Sequence, residues 1–255
     1  MTKKEAAASD FEMPPAAREA DEVLNRLFVG HTPLSGDQQI SLEELKFSLL
    51  HETPLNMIVL AADIRKSTFI MKEAVSFRCF ARIISDFVSI ASDVVRGKAG
   101  GWFDKFTGDG FLAYWICNDE EEGKEIVNVF SVCQALFNHF EKVVMVDLRK
   151  NSKNLPAGVG LSFGIDSGPT QLVEVAGSLT VVGSPVVGAV RMVSAAQSTE
   201  TLCNVCLGDM LYRDRAKFMQ RSRIKICREY RQTKEYPSQE VYVLTFPERR
   251  STPKS

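Results

Sequence analysis

A short, uninterrupted apolar run, NMIVLAA at residues 56–62, ends abruptly at a carboxylate, Asp63. A run that is apolar at every position, rather than at alternate positions, is typical of a strand buried on both faces. Its length is that of a strand and is too short for an ordinary helix. The sequence therefore predicts a buried central strand with Asp63 at its end.

The segments that follow alternate between helical and extended patterns. Apolar residues recur at helical spacing over 75–96, and residues 120–145 show a second long helical pattern. Two strand-like runs, Trp102–Thr107 and Phe111–Ile116, are joined by the hairpin signature Gly108-Asp109-Gly110. Further strands are predicted at Gly158–Asp166, Ser178–Val182, Leu202–Leu207, Ile224–Tyr230 and Glu240–Phe246, and further helices at Leu42–His51 and Val186–Ser198. This order predicts an α/β (α+β) fold with a mixed, mostly antiparallel sheet flanked by helices.

Length and composition limit the organisation and the partners of the chain. Its 255 residues allow one large domain with an extension. Residues 1–38, rich in Ala, Pro, Glu and Asp, are predicted to be a flexible N-terminal extension, and residues 39–250 to be the domain. A formal net charge of −1 argues against broad electrostatic binding to nucleic acid or to an anionic membrane.

The cysteines and the N-terminus bear on the expected compartment. No apolar run approaches the ~20 residues that span a bilayer, and no apolar stretch follows the first basic residues as in a secretory signal. Most of the six cysteines lie in apolar segments, which favours buried free thiols. Cys203 and Cys206 form a CxxC pair, which we interpret as structural because no second ligand pair lies nearby and TLCNVCL reads as a strand. We expect the protein in the cytoplasm.

Two aspartates occupy positions that suit a divalent cation. Asp63 ends the first strand, and Asp109 lies in the tight turn of the next hairpin. If these strands are neighbours in one sheet, both carboxylates project at the same edge. Hard oxygen ligands of this kind suit Mg²⁺ or Mn²⁺. Each aspartate taken alone is explained as well by turn geometry, since Gly-Asp-Gly is a good turn by itself.

Four sequence blocks occur in one order with these aspartates. They are ADIRKST at 62–68, KFTGDGFLAYW at 105–115, FGIDSGPT at 163–170 and VVGSPVVGAVRM at 181–192. Together they resemble the catalytic domain of the class III adenylate and guanylate cyclases over residues 56–246. The resemblance implies a ferredoxin-like, palm-type domain over residues 39–250 that converts a nucleoside triphosphate into a 3′,5′-cyclic monophosphate and pyrophosphate.

The resemblance also implies residue roles. Asp63, Asp109 and the backbone carbonyl of Ile64 are the implied ligands of two Mn²⁺ or Mg²⁺ ions per site. The turn Ile64–Thr68, with Lys66, Ser67 and Thr68, would hold the terminal phosphates, and Arg191 would stabilise charge on the α-phosphoryl group. Lys234, eight residues before Tyr242, has the spacing of the triphosphate-binding lysine of the family. The family acts as a head-to-tail homodimer, so Lys105, Thr180 and Arg191 would face the aspartates from the second copy.

Lys105 and Thr180 take the positions that read the base. The Lys105 ammonium only donates hydrogen bonds, so it suits adenine N1 or a pyrimidine acceptor and not the guanine N1–H. The Thr180 hydroxyl both donates and accepts, so these two residues leave ATP, UTP and CTP open. The asparagine that the family places four residues before its helix arginine is Val187 here, and its usual Gly-Phe after DIR is Lys66-Ser67.

With KFTGDG at 105–110 and the asparagine-less helix GSPVVGAVR at 183–191, the chain resembles the small, stand-alone pyrimidine cyclases of bacterial Pycsar anti-phage systems, which make cyclic UMP or cyclic CMP for a separate effector protein. The preferred hypothesis is therefore a cyclase acting on UTP or CTP. One alternative is a stand-alone adenylate cyclase that makes cyclic AMP. A second alternative is a degenerate homologue that binds a nucleotide without turnover, which Val187 supports and which the presence of Asp63, Asp109 and Arg191 opposes.

Overall fold

The structure is a computed structural model that describes residue 48 and residues 51–117, 122–175, 178–214, 224–233 and 236–246. The chain divides into two compact units, residues 1–54 with 171–180 and residues 55–170 with 181–255. The predicted boundary at residue 38 lies outside the described residues. So does most of the predicted helix Leu42–His51, of which Ser48 and His51 are described and are helical.

Strands and helices alternate along the described chain. In order they are β1 (Leu55–Arg65), α1 (Ser67–Glu73), α2 (Phe77–Ala99), β2 (Trp102–Phe106), β3 (Gly110–Ile116), α3 (Glu122–His139), a π-helical turn (Phe140–Val144), α4 (Met145–Asn151), β4 (Gly160–Val175), β5 (Ser178–Val182), α5 (Ser184–Ala195), β6 (Glu200–Cys203), α6 (Val205–Asp214), β7 (Lys225–Thr233) and β8 (Tyr236–Thr245). None of the described helices is both long and apolar enough to cross a membrane.

The described strands form one mixed sheet with β1 in its interior. The strand order is β2-β3-β1-β4-β6-β8-β7, with β5 paired to β4 outside this path. β1 is antiparallel to both neighbours, β3 and β4, while β4 and β6 run parallel. Residues Met57–Ala62 of β1 are buried, as an apolar run without alternation requires. The predicted mixed, mostly antiparallel sheet is confirmed.

The two faces of β1 contact different layers. Ile58, Leu60 and Ala62 belong to the same buried cluster as Phe87 of α2 and Phe130 of α3. On the opposite face, α5 packs against the sheet at very short range. A Cβ on Gly164 would lie 2.1 Å from the carbonyl oxygen of Ala189 in that helix. The absence of a side chain at position 164 therefore sets how closely α5 approaches β4.

Some predicted boundaries differ from the structure. β1 continues through Asp63 to Arg65, and the second long helix passes through the π-helical turn and ends only at Asn151. The predicted strand Leu202–Leu207 is wrong beyond Cys203. There the Asn204 side-chain oxygen accepts a hydrogen bond from the Leu207 N–H at 2.8 Å, which caps α6 and turns the chain into a helix.

Candidate functional site

Asp63 and Asp109 meet at one edge of the sheet. Asp63 pairs across the sheet with Gly110, and the Ile64 N–H donates to the Asp109 carbonyl oxygen at 3.1 Å. The hairpin turn needs glycine on both sides of Asp109. Gly108 has a φ of 96°, and a Cβ on Gly110 would lie 2.0 Å from the Ala62 carbonyl oxygen. The two glycines that form this turn therefore also fix the position of the Asp109 carboxylate beside Asp63.

The two carboxylates also interact electrostatically. Burial raises the pKa of Asp63, the neighbouring Arg65 guanidinium lowers this pKa, and the Asp109 carboxylate raises it again. Arg65 Nη1 lies 3.4 Å from Asp63 Oδ2, with side-chain exposures of 22% for Arg65 and 28% for Asp63. A pair of partly buried carboxylates that repel each other is an arrangement that a divalent cation stabilises.

The turn after β1 contacts both the second carboxylate and a distant loop. Lys66 adopts a left-handed backbone conformation with a φ of 63°, and α1 begins at the next residue. The Lys66 ammonium donates to the carbonyl oxygen of Ala157. The buried Ser67 hydroxyl donates to Asp109 Oδ2 at 2.5 Å. Thr68 is exposed. Ser67 thus hydrogen-bonds to a residue of the predicted metal site, whereas Lys66 hydrogen-bonds to the loop that precedes β4.

Arg65 is a residue of this site that sequence analysis did not single out. It follows Asp63 by two positions in β1, so both side chains lie on one face of the strand. Its Nε donates to the Ser162 hydroxyl at 2.9 Å, and that hydroxyl lies 3.3 Å from the Asp63 carbonyl oxygen. The motif ADIRKST carried the signal, since a charged residue two positions from a buried carboxylate in a strand can reach it.

The other predicted site residues lie in different parts of the chain. Arg191 is partly exposed in α5, one helical turn after Val187, whose side chain is 47% exposed. Lys105 pairs with Leu112 through its backbone, and its side chain lies outside the described part of the chain. Thr180, in β5, belongs to the first compact unit. Lys234 is outside the described residues. That Lys105, Thr180 and Arg191 face the aspartates from a second copy stays a prediction.

The FGIDSGPT block places a carboxylate beneath α5. Asp166 accepts hydrogen bonds from the Ser167 N–H at 2.9 Å and from the Asn204 side-chain amide. Burial raises its pKa, and these two hydrogen bonds lower it. A Cβ on Gly188 would collide with Asp166 Oδ2, so glycine at this position leaves room for the carboxyl group. Asp166 in β4 therefore lies against α5 and hydrogen-bonds to the residue that precedes α6.

The CxxC pair has a different geometry from the one predicted. Cys203 is buried at the end of β6, whereas Cys206 is exposed in the first turn of α6. A redox-active CxxC pair often lies at the start of a helix, so the argument against a redox role that rested on a predicted strand no longer applies. The burial of Cys203 argues against a redox role instead, because it raises the pKa of that thiol well above its ordinary value and opposes formation of the reactive thiolate.

The site can hold a metal ion only with help from groups other than acidic side chains. Asp63 and Asp109 supply hard oxygen ligands of the type that Mg²⁺ and Mn²⁺ prefer. Among the described residues, no group of three or more His, Cys, Asp or Glu side chains could bind a metal ion. A cation here would take its remaining ligands from the backbone, from water or from phosphate oxygens, as Mg²⁺ usually does.

No family model matches the chain, and no curated protein matches it. Solved structures do. The adenylyl cyclase CyaB from P. aeruginosa is similar with a TM-score of 0.61 and 20% identity over 77% of this chain and 96% of that chain. The guanylate cyclase domain of RhGC from Catenaria anguillulae, in complex with GTP, is similar with a TM-score of 0.58 and 14% identity over 76% of this chain and 98% of that chain. A class III adenylyl cyclase-like ATP-binding protein from Pseudomonas aeruginosa is similar with a TM-score of 0.52 and 20% identity over 62% of this chain and 35% of that chain.

These similarities and the sheet order agree with the resemblance seen in the four sequence blocks. At identities of 14% to 20% they establish the fold and not the reaction. This chain has the fold of the class III adenylyl and guanylyl cyclase catalytic domains.

Proposed function

We propose that the protein is a nucleotide cyclase that converts a nucleoside triphosphate into a 3′,5′-cyclic monophosphate and pyrophosphate. The observation that carries the proposal is the convergence of Asp63 and Asp109 at one sheet edge, in a chain whose fold is that of class III cyclase domains. In the reaction the ribose 3′-oxygen forms a bond to the α-phosphorus, the bond from the α-phosphorus to the bridging oxygen breaks, and the 3′-hydroxyl proton leaves to solvent.

Asp63 and Asp109, with the Ile64 carbonyl, would hold the metal ions of this reaction. Bound there, two Mn²⁺ or Mg²⁺ ions would supply Lewis acidity for the ribose 3′-hydroxyl and counter-charge for the leaving pyrophosphate. The carboxylates keep these charges fixed beside the phosphates, so little reorganisation is needed as the reaction proceeds. Asp109 is held for this role by the Ser67 hydroxyl.

The turn after β1 and the helix α5 would bind the rest of the triphosphate. Lys66 in the left-handed conformation is followed by helical residues, and successive backbone N–H groups in such a sequence can form a concave anion site. In our proposal Ser67 and Thr68 contribute to it beside the terminal phosphates. Arg191 supplies a fixed positive charge to the α-phosphoryl group, and Lys234 contacts the triphosphate.

We further propose a pyrimidine nucleotide as the substrate, UTP for cyclic UMP or CTP for cyclic CMP. Lys105 disfavours guanine because it lacks an acceptor for N1–H, and Thr180 accommodates either a carbonyl or an amino group. Val187 offers no amide to the ribose, which sets this helix apart from the purine cyclase pattern. The product would act as an anti-phage signal that a separate effector protein reads.

Product identification tests this proposal. Purified protein is incubated with an equimolar mixture of ATP, GTP, CTP and UTP and with Mn²⁺, and cyclic products are identified by mass. We expect cyclic UMP or cyclic CMP together with an equal amount of pyrophosphate. Cyclic AMP as the main product would instead establish the adenylate cyclase alternative, and cyclic GMP would contradict the role assigned to Lys105.

A nucleotide-binding protein without turnover is the second candidate function. Val187 supports it, and one structural neighbour is described as an adenylyl cyclase-like ATP-binding protein. Titrating the protein with a triphosphate and Mn²⁺ distinguishes it, because binding of the triphosphate without release of pyrophosphate would identify a degenerate domain. The presence of Asp63, Asp109 and Arg191 argues for turnover.

A head-to-tail homodimer makes a specific prediction for mixed variants. Asp63→Asn and Arg191→Ala should each be inactive alone. Mixed one to one, with exchange of subunits, they should recover about a quarter of wild-type activity, because half of the dimers are mixed and each contains one intact site. Mixing Asp63→Asn with Asp109→Asn is the control and should recover nothing. No recovery in the first mixture would contradict sites shared between two copies.

A further inference from the structure

The guanidinium of Arg65 is fixed beside Asp63 by contacts on two sides. Nη1 lies 3.4 Å from Asp63 Oδ2, and Nε donates to Ser162 Oγ at 2.9 Å. Ser162 is fully buried in β4, and its hydroxyl reaches the Asp63 carbonyl oxygen at 3.3 Å. Since a planar guanidinium offers its donors in a fixed geometry, these contacts set its position and not only its charge.

Within the described residues, one nitrogen of this guanidinium has no hydrogen-bond partner. Arg65 Nη2 is buried, and within the described part of the chain it makes no hydrogen bond. A buried donor without an acceptor costs free energy, more so when it carries charge. Because Nη2 is buried, an anion bound at this edge of the sheet would interact with the guanidinium through its charge and not through a hydrogen bond to Nη2. A triphosphate beside Asp63 is such an anion.

Arg65 also changes the net charge of the proposed metal site. Asp63 and Asp109 together contribute −2 when both are ionised, and the neighbouring guanidinium reduces the total to −1. The Ser67 hydroxyl already donates to Asp109 at 2.5 Å, so each carboxylate has a protein partner from the segment Arg65–Ser67. A cation that binds alone must compete with these partners for the carboxylates. When the cation binds together with a triphosphate, the negative charge of the triphosphate offsets the charge of Arg65.

We propose that Arg65 is a positioning residue that makes divalent-cation binding at Asp63 and Asp109 dependent on the triphosphate. The inference rests on the proposed function and deepens it. The guanidinium weakens binding of the cation alone, favours binding of the triphosphate through its positive charge, and so increases the coupling between the two ligands. Because a positive charge repels a cation and attracts an anion, removing Arg65 should change the two separate affinities in opposite directions.

The first measurement is Mn²⁺ binding without nucleotide, followed by the electron paramagnetic resonance signal of the free ion. Arg65→Gln should bind Mn²⁺ about tenfold more tightly than the wild type, the Coulomb effect of one charge on a divalent ion a few ångströms away in a hydrated site. Arg65→Met is a second neutral variant, to be used if the glutamine variant unfolds. It keeps the apolar stem of the side chain and leaves no unpaired hydrogen-bond donor. Arg65→Lys keeps the charge and should stay within about twofold of the wild type.

The second measurement is calorimetric binding of inorganic tripolyphosphate without metal, which is independent of the base. Here both neutral variants should bind about tenfold more weakly than the wild type. The matched control in both measurements is Arg228→Gln, which removes the same charge from the exposed ion pair with Glu240 in the β7–β8 hairpin. It should change neither affinity.

The outcomes separate this inference from the proposed function. If the wild type binds Mn²⁺, Asp63→Asn does not, and the neutral Arg65 variants bind no more tightly than the wild type, Arg65 lacks the proposed role while the metal site stands. The same holds if Arg65→Lys behaves like Arg65→Gln, since charge would not be the cause. If neither the wild type nor Arg65→Gln binds Mn²⁺ more tightly than Asp63→Asn, the metal site itself is refuted.

Discussion

Asp63→Asn and Asp109→Asn should each reduce turnover by at least about a thousandfold while the protein stays folded. Each replacement removes one of the two negative charges that would hold the metal ions, and fixed charges at the reacting phosphates account for several kcal/mol of transition-state stabilisation. The measurement is the initial rate of pyrophosphate release with Mn²⁺ at saturating triphosphate. The control is Asp86→Asn, which removes an exposed carboxylate from α2.

The difference in stability between the wild type and Asp63→Asn should depend on pH, because only the wild type carries the titrating carboxyl group. The pKa of Asp63 is raised from its ordinary value of 3.8, mainly by burial, so the folded chain favours the protonated carboxyl group. The ionised form therefore destabilises the fold, and this loss develops as the pH rises from 3.8 through the raised pKa. Without metal, Asp63→Asn should melt at the same temperature as the wild type in acid and at or above it near neutrality.

Added Mn²⁺ should reverse this order, because binding to the folded wild type raises its melting temperature in proportion to the logarithm of the metal concentration. The amide of Asp63→Asn should give little or no such rise. A variant at Asp63 that keeps wild-type turnover, or that melts far below the wild type without metal, would contradict a catalytic role for this carboxylate.

Gly164→Ala should destabilise the fold by about 3 kcal/mol or more, with most of the protein unfolding at a lower denaturant concentration. The added Cβ would lie 2.1 Å from the Ala189 carbonyl oxygen and 2.3 Å from the Val193 backbone nitrogen. Both atoms belong to the backbone of α5, so no side chain can rotate away to relieve the collision. Either α5 moves away from the sheet or β4 bends.

The control for this change is Gly97→Ala in α2. Apart from the neighbouring residues and the backbone of α2 itself, no atom of the described part of the chain lies within 4 Å of a Cβ at position 97, and the residue is exposed in the last turn of the helix. Alanine there should stabilise the protein by about 0.5–1 kcal/mol, because glycine has a higher conformational entropy to lose. Urea denaturation of both variants measures the difference. Equal stability of Gly164→Ala and wild type would show that α5 does not pack against β4 at this distance.

The predictions that succeeded rest on signals contained in short segments. The run at 56–62 predicted a buried central strand because it is apolar at every position, and Met57–Ala62 are buried. The Gly108-Asp109-Gly110 turn predicted the β2–β3 hairpin because only glycine fits its backbone, and the two strands pair as expected. The strand predicted at Ser178–Val182 coincides with β5.

The predictions that failed concern residues whose neighbours decide their structure. Leu202–Leu207 contains apolar residues that suit a strand, but the Asn204 side chain caps a helix after Cys203. α1 was not predicted, because its seven residues are too few to show a helical period. In the first case a local contact outweighs a weak sequence preference.

The site divides in the same way between sequence and tertiary structure. The sequence by itself identified the two carboxylates that we predict to bind a cation, because Asp63 ends an apolar run and Asp109 occupies a turn flanked by glycine on both sides. Only the tertiary structure decided that these strands are neighbours, that Ser67 holds Asp109, and that Arg65 reaches Asp63 and Ser162. The reason is physical. Strand and turn preferences act over a few residues, whereas Asp109 and Ser162 lie beside Asp63 although they come from segments about 50 and 100 positions away, which only sheet pairing brings together.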